Sequence, residues 1–78
     1  MILQLKYFGM VAEAIEKEAE KVEIQHRTIA DLDGLLKRKY PQLATMNYQF
    51  ALNQVLVDTN EIIKDNDEVA VLPPFAGG

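Results

Sequence analysis

Glu68 to Leu72 reads Glu-Val-Ala-Val-Leu and runs straight into Pro73 and Pro74. In an extended segment Val69 and Val71 share one face, and Ala70 and Leu72 share the other. A strand apolar on both faces belongs in the middle of a sheet, or turns one face to a partner. It cannot run on, because each proline lacks the N–H that a ladder needs. The prolines favour a stiff, extended exit instead, followed by Phe75, Ala76, Gly77 and Gly78. Residues 73–78 reach at most about 20 Å, at roughly 3.3–3.6 Å each. Gly77 and Gly78 carry no Cβ, so the walls of a narrow channel can approach the backbone from every side. The expected organisation is a folded body over 1–72 and an extended tail over 73–78.

A terminal carboxylate is inert as it stands. ATP can convert it to an acyl adenylate, which a nucleophile then displaces, and glycine leaves the acyl carbon open to attack. The plain alternative is that Gly-Gly is a frayed end of small residues. Two prolines directly after a strong strand favour the first reading.

A chain of 78 residues makes one domain with a small core, burying somewhat more than ~60% of its unfolded surface. The net charge of −4 argues against nucleic acid or an anionic membrane as the main partner and favours a protein with a basic surface. There is no cysteine, which excludes disulfides, thiolate metal sites and thiol nucleophiles. Any sulfur handled by this chain must therefore sit on a group other than its own thiol. With no signal peptide and no long apolar run, the expected location is the cytoplasm.

The other elements follow from periodicity. Ile2 to Phe8 alternates as a strand, with Leu3, Leu5 and Tyr7 on one face and Phe8 as a large apolar group on the otherwise polar one. Met10 to Ala19 is rich in Ala and Glu and predicts a helix with Val11, Ala14 and Ile15 as its stripe. The charges Glu13, Glu16, Lys17, Glu18, Glu20 and Lys21 read as a solvated face rather than a metal site. Glu20 to Arg27 alternates as a second strand. His26, the only histidine, reads as a strand-end residue bonded to backbone or water rather than a catalytic group.

Thr28 and Asp31 make a capping-box start for a helix whose Ile29, Leu32, Leu35, Leu36 and Tyr40 share a face. Lys37, Arg38 and Lys39 favour the negative end of its dipole, and Pro41 stops it. Gly34 within it suggests close helix–sheet packing. Leu43 and Met46 anchor the next connection. Gln49 to Asn53 and Val55 to Val57 read as short strands around Asn53 and Gln54, with Leu56 outward if Val55 and Val57 face the core. Ile62 and Ile63 anchor a short excursion between two turns. Phe8, Leu56 and Leu72 are then expected on one outward patch beside the exit of the tail.

This order suggests an α+β fold, one mixed sheet wrapped over one main helix, with the first and last strands side by side and parallel at its centre. That is the ubiquitin-like β-grasp. Several stretches reinforce it: Tyr7-Phe8 at the end of the first strand, Leu52-Asn53-Gln54-Val55-Leu56-Val57, Asp67-Glu68-Val69-Ala70, and Leu72-Pro73-Pro74-Phe75-Ala76-Gly77-Gly78. Together they resemble the small, sulfur-carrier subunit of molybdopterin synthase over nearly the whole chain. The segment from Glu13 to Glu20 matches that family poorly, and Asn66 stands where the family usually has glycine, a mild departure because Asn tolerates positive φ.

The resemblance implies a carrier rather than a catalyst. It implies that Gly78 is adenylated by a ubiquitin-activating-like adenylyltransferase using ATP, then converted to a thiocarboxylate. It implies that Gly77 lets the tail thread into the large synthase subunit, within a heterotetramer, to donate sulfur to cyclic pyranopterin monophosphate. It places Phe8, Leu56 and Leu72, with Pro73, Pro74, Phe75 and Ala76, at partner contacts, and it implies no bound cofactor or metal. The rival readings are a sulfur carrier of thiamine thiazole synthesis, a protein modifier joined through Gly78 to lysines, and a binding module with an incidental tail.

Overall fold

The computed structural model describes residues 1–25 and 27–74. Along these the chain forms β1 (Ile2–Tyr7), α1 (Gly9–Ile15), β2 (Ala19–Glu23), α2 (Ile29–Lys39), a 3-10 turn (Pro41–Thr45), β3 (Gln49–Leu52), β4 (Val55–Val57) and β5 (Glu68–Leu72). The sheet order is β2-β1-β5-β3-β4. β5 lies parallel to β1, with Leu5 opposite Val69, and antiparallel to β3, with Phe50 opposite Val71. The outer pairs, β1 with β2 and β3 with β4, are antiparallel. The expected ubiquitin-like β-grasp is the fold, and the doubly apolar β5 takes the central place that its composition demands.

One sheet face is covered. Leu3, Leu5 and Tyr7 of β1, Val69 and Val71 of β5 and Phe50 of β3 are buried in one cluster with Ile29, Leu32 and Leu36 of α2. Truncating a fully buried residue such as Leu32 to alanine costs about 2–5 kcal/mol, the sum of lost transfer energy and a residual cavity. The helix starts where the sequence says it should. The Asp31 amide donates to Thr28 Oγ1 at 3.2 Å, and the Thr28 amide donates to Asp31 Oδ2 at 3.1 Å.

The segment between β1 and α2 departs from expectation. α1 stops at Ile15, with Glu16 in the left-handed region (φ 58°) closing the helix. Helical propensity would carry the helix to Ala19, but pairing of Ala19 with Lys6 and Glu20 with Leu5 claims those residues for β2. Ladder formation at the sheet edge overrides local preference. β2 accordingly begins one residue early and ends at Glu23 rather than Arg27; His26 lies outside the described residues.

Glu20 is not part of a solvated face. It lies on the covered side of the sheet, and its carboxylate accepts from the hydroxyls of Tyr7 (2.5 Å) and Tyr40 (2.7 Å) and from Lys39 Nζ (2.8 Å) and Lys17 Nζ (3.3 Å). Burial alone would raise its pKa. The four donors outweigh burial and hold it at about 2. Burial, and then the bond to Glu20, push the Tyr7 phenol well above its ordinary value, so it stays a donor. The cluster ties the ends of β1 and α2 to β2, directly beneath the start of the surface described below.

Three smaller expectations also fail. Gly34 makes no close approach to the sheet, since a Cβ there would meet only Arg38 Nη1, at 3.8 Å. Ile63 is buried, but the Ile62 side chain is 59% exposed and does not join the core. Val55 shares its face with Val57 but is 63% exposed at the turn end of edge strand β4, so of that pair only Val57 is partly buried.

Candidate functional site: the open sheet face and the root of the C-terminal segment

Among the described residues the other sheet face carries no helix. Period-two alternation puts Gln4, Lys6 and Phe8 there from the first strand, Ala70 and Leu72 from β5, Gln49 and Ala51 from β3, and Leu56 from β4. The register sorts them into rows. Lys6 is opposite Ala70, Ala70 opposite Ala51, and Ala51 opposite Leu56. One step along, Gln49 is opposite Leu72, and Phe8 follows on the other side of β5, its amide donating to the Val71 carbonyl at 3.1 Å.

The structure therefore brings Phe8 and Leu72 side by side. Leu56 lies on the same face but across β3, separated from them by Ala51. Phe8 is 44% and Leu56 50% exposed, while Leu72 is half-buried. Ala70 and Ala51 are buried. The result is a shallow apolar surface with an alanine floor between two raised apolar edges, which a complementary protein surface can desolvate. Lys6 and Glu68 pair at 3.1 Å on its rim, an exposed contact worth little in stability.

The sheet ends at Leu72 beside this surface. Pro73 is half-buried and Pro74 exposed. Phe75, Ala76, Gly77 and Gly78, expected to carry the partner contact and the acyl chemistry, lie outside the described residues.

The resemblance-bearing stretches in the body serve the scaffold. Asn53 and Gln54 both take positive φ, 48° and 72°, in a two-residue hairpin turn between β3 and β4. Asn53 Nδ2 donates to Asp67 Oδ1 at 3.0 Å, and its Oδ1 accepts from the Glu68 amide at 3.0 Å. Asp67 Oδ2 accepts from the Lys64 amide at 2.7 Å, and Asn66 sits at φ 68° in the same turn. The asparagine–glutamine turn and the acidic pair are thus one hydrogen-bonded unit, which sets where β5 begins and hence where it ends.

The sequence matches the ThiS family over residues 5–78. The chain belongs to the ThiS family. It is 41% identical, over 92% of both chains, to the molybdopterin synthase sulfur carrier subunit of Mycobacterium tuberculosis (strain ATCC 25618 / H37Rv). Its fold is similar to that of a solved Pyrococcus furiosus protein described as molybdopterin converting factor subunit 1, with a TM-score of 0.89 at 22% identity over 96% of this chain and 99% of that one. It is also similar to a chain in the complex of subunits 1 and 2 of the molybdopterin-converting factor of Helicobacter pylori 26695, with a TM-score of 0.70 at 29% identity over all of both chains.

Among the described residues no three His, Cys, Asp or Glu side chains form a group able to hold a metal ion. Among the same described residues no helix is long and apolar enough to cross a membrane.

Proposed function

We propose that this ThiS-family chain is the sulfur-carrier subunit of a molybdopterin synthase. The observation that carries the reading is the likeness to a carrier of that name, 41% identical over 92% of both chains. The open face formed by Phe8, Leu72 and Leu56 beside the root of the C-terminal segment supports it. So does the likeness to a chain solved in complex with a second subunit of the molybdopterin-converting factor.

In this reading the large synthase subunit docks on that face and receives residues 73–78. The chemistry is acyl activation. A Gly78 carboxylate oxygen attacks the α-phosphorus of ATP on a ubiquitin-activating-like adenylyltransferase, and pyrophosphate leaves. Hydrosulfide then attacks the acyl carbon, AMP leaves, the proton goes to solvent, and a thiocarboxylate remains. Within the large subunit that sulfur passes to cyclic pyranopterin monophosphate, water taking its place on the Gly78 acyl carbon to restore the carboxylate, and two rounds complete one dithiolene. Gly77 keeps the entering backbone thin. The carrier is a co-substrate without a cofactor of its own, working in the cytoplasm. Its pocket and its acid–base groups belong to the partner.

Mass spectrometry of the intact chain tests this. Incubation with the adenylyltransferase, ATP and a sulfur source is expected to add ~16 Da at Gly78, one oxygen exchanged for sulfur in an activated acyl group. An unchanged mass in a system that loads a known carrier overturns the proposal. Recovery of a thiazole synthase instead of a synthase large subunit, or conjugates that survive reducing agent, redirects it to the thiazole carrier or the protein modifier.

A further inference from the structure

Pro73, the first residue past the sheet, is held from two sides. On one side is Gly9, at φ +59° immediately after Phe8. An ideal Cβ on Gly9 would lie 2.6 Å from Pro73 Cγ and 3.4 Å from its Cδ. The proline ring thus occupies the notch that the missing side chain leaves. On the other side Gln49, the ladder partner of Leu72, donates from Nε2 to the Pro73 carbonyl oxygen at 3.1 Å. Ring and carbonyl are fixed by Gly9 at the start of α1 and Gln49 at the start of β3, and the proline's own φ is set by its ring.

Neither residue is required for this by the sheet. Gln49 meets its ladder role through its backbone, so its side-chain donor is free to hold the next residue along. The left-handed conformation at Gly9 tolerates glycine best, but the 2.6 Å approach demands it for a separate, steric reason. A segment that must enter a partner's channel loses less entropy on docking if its root already points the right way.

We propose that Gly9 and Gln49 are positioning residues that clamp Pro73 and fix the direction in which the chain leaves the sheet at Pro74. Their consequence for sulfur loading rests on the carrier reading above; the clamp itself does not.

Two measurements separate the claims. The first needs no partner. The chain has no cysteine, so spin labels on Pro74→Cys and Arg38→Cys report one distance. Adding Gln49→Leu or Gly9→Ala is expected to broaden or shift that distance distribution, and an unchanged distribution in both overturns the clamp. The second is loading kinetics on the full chain, read as the ~16 Da increase with adenylyltransferase, ATP and sulfide. Gln49→Leu, which loses one neutral hydrogen bond, is expected to melt with the wild type yet lose about three- to tenfold in kcat/KM. Gly9→Ala is expected to lose about tenfold or more, as misplacement of a reacting group by roughly an ångström does. Gly9→Ala/Pro73→Ala is expected to recover much of that loss, because the atom in the way is gone. Loss that merely follows melting temperature and is not relieved by Pro73→Ala overturns the positioning role. A wild-type chain that is never loaded sinks the carrier reading, while the distance measurement still decides the clamp.

Discussion

The Tyr7 hydroxyl donates to the Glu20 carboxylate at 2.5 Å, joining the end of the central parallel pair to the edge strand under Phe8. The Glu20 pKa of about 2 lies below its ordinary 4.5. A depressed carboxylate pKa stabilises the fold above the unfolded value, and that stabilisation is lost as pH falls from about 4.5 through about 2. With its side chain only 11% exposed, the shift corresponds to on the order of 3 kcal/mol at neutral pH. Glu20→Gln is therefore expected to lower the melting temperature at pH 7 by about 10 °C or more. The gap between variant and wild type should close as pH is lowered across that window. A gap that stays constant from neutral to acid pH contradicts the assignment.

Gly34 lies inside α2, where a Cβ would make only an ordinary van der Waals contact, 3.8 Å from Arg38 Nη1. Its replacement by alanine is expected to stabilise the protein by about 1 kcal/mol, through helix propensity and a less flexible unfolded chain. Urea denaturation reads this as a higher midpoint at unchanged slope. A lower midpoint would show that the helix packs more closely there than the 3.8 Å contact with Arg38 allows.

What the sequence disclosed and what it hid follow a physical division. Period-two and helical patterns are local, so β1, β5 and α2, with its Thr28–Asp31 box, were legible, and the two-sided apolarity of β5 located the sheet centre. Phe8, Leu56 and Leu72 were legible as outward residues from parity alone. Their spacing was not, because Leu56 is separated from Leu72 by Ala51, and that depends on β3 lying between β5 and β4. Glu20 was misread because its donors come from positions 7, 17, 39 and 40, which only the tertiary fold collects. The early stop of α1 was hidden for the same reason. Asn53 and Asp67 carried a family resemblance, but the bond between them, and so their structural task, appears only when the hairpin turn meets the start of β5. The role of Gly9 depends on the path of Pro73, which only the fold supplies.

Gln54 takes φ 72° in the β3–β4 turn, a conformation that costs a non-glycine residue about 1–2 kcal/mol. Gln54→Gly makes the favoured Asn-Gly pair for such a turn and is expected to stabilise by about 0.5–1 kcal/mol after the added freedom of the unfolded chain is subtracted. Asn53→Ala is expected to do the opposite, by roughly 2 kcal/mol, because the Asp67 carboxylate and the Glu68 amide lose their side-chain partner. Equilibrium denaturation of both variants checks the pair. Equal effects of one sign would mean that the turn is not held as described.

Leu56 is half exposed on the open face and contributes little to the core, so a charge there should leave the fold intact and strike only at docking. Leu56→Asp is expected to change stability by no more than about 0.5 kcal/mol, yet to weaken binding of the synthase large subunit at least about tenfold, as desolvating an unpaired carboxylate in an apolar contact does. Phe8→Ser should behave alike. Ile62 is the control, being more exposed than Leu56 but placed beside Thr28 at the start of α2, away from that face. Ile62→Asp is expected to bind as the wild type does, and calorimetric titration of the three variants against the large subunit measures the contrast. Equal losses at Leu56 and Ile62 would point to a general charge effect. No loss at Leu56 or Phe8 would move the docking surface elsewhere on the molecule.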